Sequence, residues 1–399
     1  MSLNNSRCVP GKRPGRTRTL APVLNAVLIG VICLAVAPVS RAQATAAPAS
    51  DKTGNSQDAS GNARPSGGDA ASPATSQTRT GKLSRWFELQ LAQLYLRYRF
   101  VENSAGLTTA NQSQHKETFK ARFKFDRRGR YSINAGLFSG RSFIATWNNT
   151  GLGTGQAQSN LALKQLFFSA VPTQGLEMQY GGLYLARGES TEITSYDEDG
   201  YSMGQRVVLK RPEKFFFDEI SVTYAYLGDA STPNINKRYH RIKQSNYHQF
   251  LVDKRISNRA AVSVDYTFED GREVLREAIK LSIPRSRVLD TIRFENYQRL
   301  DVNPAHGFAL HGEKEIFERL MLGGGYAKID PKYGNLNADR FLTGKRLFFL
   351  ANLQITPEFS LSTYLTRAVA ISAPIAQRTR FDLIFRYNLL KSLQRTGLF

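Results

Sequence analysis

Arginine and lysine at alternate positions are the residues of this chain best placed to do chemistry. Arg97 and Arg99 are two apart, Lys120, Arg122 and Lys124 follow the same step, and Arg293 with Arg299 and Arg380 with Arg386 are separated by six. Even spacings put side chains on one face of an extended strand. A wall of such cations beside water attracts anions and repels cations. Arg276 and Lys280 extend the set, and Arg346 precedes a further apolar run. The bland alternative is pairing: Asp265, Asp382 or Glu295 would neutralise some of these bases and only hold the wall together. Both readings stay open at this level.

Other chemistries find little support. His306 and His311 are five apart, so on a strand they face opposite sides and cannot share one metal. His115, His240 and His248 show no ligand spacing either. Gly151, Gly153 and Gly155 lack the lysine and the strand-to-helix setting of a phosphate loop. Gly323–Gly325 sits inside a strand pattern, where glycine relieves crowding. No Gly-x-Ser-x-Gly elbow occurs. Asp197-Glu198-Asp199-Gly200 is too short for a calcium loop. The two cysteines, Cys8 and Cys33, both fall in the first 44 residues, which removes disulfides and cysteine-held metals from the rest. No catalytic residue, metal site or cofactor is implied, and the chain does not read as an enzyme.

The elements that would carry the cations read as strands. In 118–125, Phe119, Ala121, Phe123 and Phe125 oppose Lys120, Arg122 and Lys124. In 220–226, Ile220, Val222, Tyr224 and Tyr226 oppose Ser221, Thr223 and Ala225, and in 262–268 Val262, Val264, Tyr266 and Phe268 oppose Ser263, Asp265 and Thr267. In 380–389, Phe381, Leu383, Phe385, Tyr387 and Leu389 oppose Arg380, Asp382, Arg386 and Asn388, with Ile384 the apolar exception. Period two means one apolar and one polar face. The rule gives about sixteen strands, centred near residues 95, 120, 134, 165, 180, 207, 222, 251, 264, 279, 294, 309, 324, 349, 362 and 385.

The joins alternate in length. Short turns are expected at 126–129, 172–175, 211–214, 257–258, 284–286, 317–318 and 356–358, several carrying Gly, Pro, Asn or Asp. Most other joins are longer: 101–113, 141–160, 188–203, 228–245, 330–344 and 369–377; those near 270–271 and 301–305 are short. A soluble sandwich also alternates in polarity but has no reason to alternate its joins in length. The expectation is therefore an all-β fold: a transmembrane antiparallel β-barrel of about sixteen strands, with short periplasmic turns and longer extracellular loops. Hydrocarbon offers backbone groups no water, so a sheet spans it only by closing on itself.

The ends and the bulk charge fit export. Lys12, Arg13, Arg16 and Arg18 precede an apolar stretch at 20–39, and Ala42-Gln43-Ala44 follows as a small-x-small cleavage site, so residues 1–44 read as a signal peptide. A membrane anchor is the rival, weakened by Pro22, Asn25 and Pro38. Residues 45–82, rich in Ala, Ser, Gly, Thr, Asn and Gln, read as a disordered linker, 83–390 as the barrel and 391–399 as a tail. The whole chain carries 54 bases and 33 acids; loss of six bases with the signal leaves +15. Such a charge suggests an anionic partner. Export argues against nucleic acid and leaves lipopolysaccharide, phosphate and acidic sugars.

The last strand, Phe381 to Leu389, resembles the assembly signal of Gram-negative outer-membrane proteins, an alternating aromatic strand ending in Phe. It departs in ending on Leu389 and in the tail to Phe399, where Lys391, Arg395 and Gly397 replace apolar residues. The layout of residues 85–390 is similar to sixteen-stranded porins, and the Arg-rich lumen resembles anion-selective and alginate-type barrels. The porin resemblance implies passive diffusion of small hydrophilic solutes, barrel-assembly machinery and outer-membrane lipid and lipopolysaccharide as partners, and a homotrimer. It also implies that the third long loop enters the pore. Its acids Glu189, Glu192, Asp197, Glu198 and Asp199 would then face the basic wall across a constriction. A solvated outer loop is the alternative. The rival functions are a conduit for an acidic polysaccharide and a barrel enzyme or adhesin.

Overall fold

The structure, a computed structural model, describes residues 85–396 apart from 143–144, 190–201, 211–215, 228–232, 270, 285, 302–304, 331–342 and 371–377. Expectations for the signal segment, the linker and the turn at 211–214 lie outside these residues. Strands dominate: β1 (Phe87–Glu102), β2 (Thr108–Lys124), β3 (Tyr131–Ser139), β4 (Asn148–Gly153), β5 (Leu161–Thr173), β6 (Leu176–Leu183), β7 (Ser202–Leu209), β8 (Glu219–Tyr226), β9 (Tyr247–Ser257), β10 (Ala260–Glu269), β11 (Arg272–Ser282), β12 (Thr291–Arg299), β13 (Ala305–Phe317), β14 (Leu320–Ile329), β15 (Gly344–Gln354), β16 (Phe359–Ala370) and β17 (Thr379–Asn388). One short helix, α1 (Leu389–Arg395), follows.

All pairings are antiparallel, and they close. β1 pairs with β2 on one side and with β17 on the other, from Gln93↔Asn388 to Glu102↔Thr379. β3 pairs with β5, so β4 stands outside the ring; the remaining sixteen strands form it. Each of the sixteen strand centres read from the sequence falls within one of these strands.

β4 was not expected, because 141–160 reads as loop. Its sequence, Asn148-Asn149-Thr150-Gly151-Leu152-Gly153, has no apolar alternation. It forms because β3 reaches only as far as Thr118 on β2, leaving backbone groups on the loop end of β2 unpaired. β4 takes them through Gln112↔Gly153 and Gln114↔Asn149. Backbone pairing makes no demand on side chains, so it leaves no trace in hydropathy. The join after β11 also differs. A three-residue turn is expected at 284–286, but β11 stops at Ser282 and β12 starts at Thr291. Asp290 anchors the longer join, accepting from Lys314 Nζ at 2.7 Å and from the backbone N–H of Glu315 at 2.8 Å.

The outer rows are apolar and exposed: Leu96 is 49 % exposed, Phe349 44 % and Phe385 40 %. The inner rows are polar and buried, among them Arg97, Thr118, Ser169, Arg206, Thr223, Asp265, Arg276 and Asp382. This inverts a soluble core, as a sheet solvated by lipid outside requires. The inner face of β13 to β16 departs from the rule. Ala309, Ala327, Ile329, Phe348 and Leu350 make an apolar cluster there. Gly325 lies close to the Phe348 ring, which a Cβ would approach to 2.7 Å.

After β8 the chain folds back over the outer face. A 3-10 helix, Ile235–Arg241, is capped by Asn234, whose side chain accepts from the Asn236 N–H at 3.0 Å. Ile235 is fully buried against Gly182. The Tyr239 hydroxyl donates to the Leu166 carbonyl at 2.8 Å, and the Arg241 guanidinium lies 5.8 Å from the Tyr226 ring centre. At the other end, the strand pattern stops at Asn388, one residue before Leu389. Asn388 caps α1 by accepting from the Lys391 N–H at 3.1 Å.

Candidate lumenal site

The seam where the barrel closes assembles the densest group of cations. The register sets Arg99 opposite Asp382 and Val101 opposite Arg380. Even-numbered residues of β17 and odd-numbered residues of β1 therefore share the inner face. Arg99 grips Asp382 with both arms, Nε to Oδ1 at 2.7 Å and Nη2 to Oδ2 at 2.8 Å. Arg380 donates to the same Oδ2 from Nε at 2.9 Å. Arg97 stands 3.9 Å from it and donates to Gln114 Oε1 at 3.0 and 2.5 Å. The Arg97 guanidinium also lies 3.8 Å from the centre of the Trp147 ring. Asp382 is only 1 % exposed. Three guanidiniums thus share one carboxylate in a bidentate, charge-assisted cluster.

The other predicted bases are distributed as follows. Arg386 donates to Ser360 Oγ at 3.0 Å, and Lys120 lies 5.7 Å from the Phe138 ring centre. Arg122 donates to Ser132 Oγ at 3.1 Å and to the Gly129 carbonyl at 2.6 Å, at the turn end. Lys124 pairs with Glu88 at 2.8 Å. Arg299 pairs with Asp301 at 2.8 Å, and Arg276 with Asp265 at 3.0 Å. Arg97, Arg99 and Arg380 are therefore brought together, whereas Arg122 and Arg386 lie on the same wall without touching them. Arg346 is buried on the inner row of β15, opposite Ala327 and Ala368.

A second cluster is built by the chain that leaves β6. Residues 184–189 run across inner rows rather than outward. The Tyr184 carbonyl accepts from Arg206 Nη2 of β7 at 2.6 Å, and the Ala186 carbonyl from Gln249 Nε2 of β9 at 2.9 Å. The Glu189 N–H donates to Ser263 Oγ of β10 at 2.8 Å. The Glu189 carboxylate lies 3.9 Å from both Lys280 of β11 and Arg293 of β12. Gly188 is pressed so close to the wall that a Cβ would come within 2.5 Å of Ser263 Cβ. The first part of the third long loop thus lies along the inner wall and sets an acid against bases. Glu192, Asp197, Glu198 and Asp199 lie outside the described residues.

Two groups that sequence reasoning passed over belong to these clusters. Arg206 donates to Thr223 Oγ1 at 2.8 Å and to Gln179 Oε1 at 3.3 Å, and so fastens the loop to three strands. It is a lone cation among valines, so no row announces it. Trp147 sits in a stretch read as loop. Its only signal is that tryptophan is rare here, with two in the chain. Among the described residues no cluster of His, Cys, Asp or Glu could hold a metal ion. His306 and His311 sit on opposite faces of β13, His311 alone turning inward opposite Arg293.

The two walls differ electrically. Among the described residues around the seam, Arg97, Arg99, Arg380, Arg386 and Lys120 accompany the acid Asp382. Between β9 and β12, the bases Arg276, Lys280 and Arg293 meet Asp265, Glu295 and the loop acid Glu189 at close to parity.

No family model matches the chain, and no curated protein does. Solved structures with similar topology include variants of a porin from Rhodopseudomonas blastica, 12 % identical, with TM-scores of 0.46 and 0.47; in each case 76 % of this chain is matched to 99 % of the other. A chain described under asymmetric conductivity of engineered proteins gives the same identity and coverage with a TM-score of 0.48. The strand pairings themselves fix the fold: the chain is a closed sixteen-stranded antiparallel β-barrel.

Proposed function

We propose, taking the porin-like barrel as the premise, that this protein is a passive channel of the Gram-negative outer membrane for small hydrophilic solutes, with a preference for anions. The single observation that carries the reading is the seam cluster, where Arg97, Arg99 and Arg380 share one carboxylate on the inner face. Guanidiniums gathered on a wet wall lower the potential energy of an anion and raise that of a cation. The third loop, held across the inner wall as far as Glu189, narrows the path and sets carboxylate against base on the opposite side. A solute crossing between the two walls meets a transverse field, which orients it without requiring a reaction. Catalysis has no part in this reading. Export through a cleaved signal, delivery by barrel-assembly machinery, contact with outer-membrane lipid and assembly as a homotrimer accompany it.

Planar-bilayer recording tests it. The purified chain in a salt gradient is expected to give ohmic steps and a reversal potential on the anion side. Replacing Arg99 and Arg380 with Gln is expected to move that potential toward zero. A cation-side reversal potential in the parent chain would end the anion reading.

A second reading, a conduit for an acidic polysaccharide, draws on the inner row of β2. Lys124, Arg122 and Lys120 climb from the turn end toward Arg97 and Arg99 of the neighbouring strand. An acidic oligosaccharide that blocks current at low concentration, where neutral sugars do not, would favour the conduit over the porin.

A further inference from the structure

The seam wall carries aromatic rings that anion preference by itself does not use. Bases and rings are paired along its inner rows. The Lys120 ammonium lies 5.7 Å from the Phe138 ring centre, and the Arg380 guanidinium 5.6 Å from that of Tyr364. Both of those rings are buried. Two others differ. The Arg97 guanidinium lies 3.8 Å from the Trp147 ring centre, and the Lys116 ammonium 5.4 Å from that of Tyr95, its direct partner across the β1–β2 ladder. Trp147 and Tyr95 meet edge to face with their centres 6.1 Å apart, and both keep part of their surface exposed, as Lys116 does.

Trp147 is held in place by its neighbours on both sides. The Thr146 carbonyl accepts from Ser139 Oγ at 2.7 Å, and the Ala145 carbonyl from Lys164 Nζ at 3.1 Å. The Asn148 side chain donates to the Asn160 carbonyl at 3.0 Å. Asn149 Oδ1 accepts from Gln114 Nε2 at 2.7 Å, and the same Gln114 receives Arg97. Gly140, at φ +93°, lets the chain return here, since a Cβ would stand 1.8 Å from the Ala145 carbonyl oxygen. A segment without apolar alternation is thus fixed so as to lay an indole on the inner wall. A simple anion such as chloride or phosphate needs the bases and not the rings. A neutral sugar would use the ring and not the bases. The cation stacked on the indole draws π density toward itself, which weakens the hold of the rest of the ring on sugar C–H groups and favours another arene.

We propose that Trp147, Tyr95, Arg97 and Lys116 form a binding site for small aromatic carboxylates passing through the lumen, with the ring stacked on Trp147 and the carboxylate turned to Lys116. The site deepens the channel reading and rests on it in one respect, that this wall faces a wet path. Offset stacking suits a planar ring. The lysine ammonium, a point charge on a flexible stem, follows the carboxylate without demanding one fixed geometry.

The test compares benzoate with cyclohexanecarboxylate, which has the same charge and a similar size but no π face. Each is added to single channels of the purified chain in a planar bilayer. Each is also titrated into the Trp86→Phe chain in detergent, where Trp147 is the one tryptophan left to fluoresce. Benzoate is expected to block current at a concentration about fivefold lower than cyclohexanecarboxylate, and to quench Trp147 emission saturably over the same range. Trp147→Leu is expected to bring the two blocking concentrations within about twofold, and Trp147→Phe to keep part of the difference. Heat-modifiable migration shows that each variant has folded. Equal block by the two acids in the parent chain would overturn the site, as would a difference that survives Trp147→Leu. Quenching by benzyl alcohol as strong as that by benzoate would also overturn it, because the bases would then have no part. Glucuronate matching benzoate would do the same, since Trp147 would then be a sugar platform. An anion-side reversal potential without preference for benzoate leaves the channel and removes the site. Saturable quenching in a chain that does not conduct leaves the site and removes the channel.

Discussion

Asp382 is the residue on which the seam depends. It is almost fully buried and receives hydrogen bonds from Arg99 and Arg380, with Arg97 in reach. Removing one partner of a buried ionic group leaves the others uncompensated and costs about 3–5 kcal/mol. Asp382→Asn is therefore expected to lower the urea midpoint of the folded barrel by an amount corresponding to several kcal/mol. In the fraction that still inserts, the same change is expected to shift the reversal potential further toward anions. An unchanged midpoint would show that water and salt in the lumen already screen the cluster. The acids at the turns behave differently. The Lys314 ammonium and the Glu315 backbone N–H hold the Asp290 carboxyl below its usual range, and a backbone N–H from Tyr131 does the same for Asp126. A carboxyl depressed in the folded state contributes stability that is present above its unfolded pKa near 4 and lost as pH falls through the lower folded value. Asp290→Asn should therefore lower the plateau above about pH 4 slightly, as suits an exposed pair, and leave stability at the acid end unmoved, so that the acid limb flattens.

At the level of elements, the third loop is the piece to which the proposed channel owes its narrowing. Its path from Tyr184 to Glu189 is pinned by three side chains from three strands, Arg206, Gln249 and Ser263. Gly188 permits the close approach, because any Cβ would collide with Ser263 and Asp253. Gly188→Val is accordingly expected to lift the loop from the wall and raise single-channel conductance, with weaker ion selectivity if Glu189 leaves Lys280 and Arg293. An unaltered conductance step would mean that this segment does not set the limiting width. The strands themselves were legible because each has to be greasy on one face and polar on the other. The loop path was not, because hydrogen bonds from side chains to carbonyls leave no periodic signature. The same holds for β4, which pairs through its backbone, and for the 3-10 helix that lies outside the barrel against Gly182 and Leu166.

For the molecule as a whole, closure is the property from which the rest follows. The unbroken ladder from β1 round to β17 satisfies the backbone without water and fixes which row faces in. Purified chain in detergent is expected to give a far-UV spectrum dominated by β-structure and to migrate faster unheated than boiled on a denaturing gel. A mainly helical spectrum would contradict the architecture. Closure also divides the lumen into unlike sectors: a cationic seam at β17, β1 and β2, a balanced wall from β9 to β12, and an apolar stretch from β13 to β16.

What the residues alone determined was the number of strands in the ring, the face each alternating residue takes and the candidate bases, because an apolar side and a wet side impose a period of two on each ring strand. Pairing of the first and last strands on closure already implies that Arg97, Arg99, Arg122, Arg380 and Arg386 share one wall; only the folded register decided which of them meet. Arg97, Arg99 and Arg380 lie at opposite ends of the chain's barrel region, and their shared carboxylate exists because the first and last strands are neighbours in a fixed register. Register between distant strands is a property of ring closure and tilt, which no local pattern encodes.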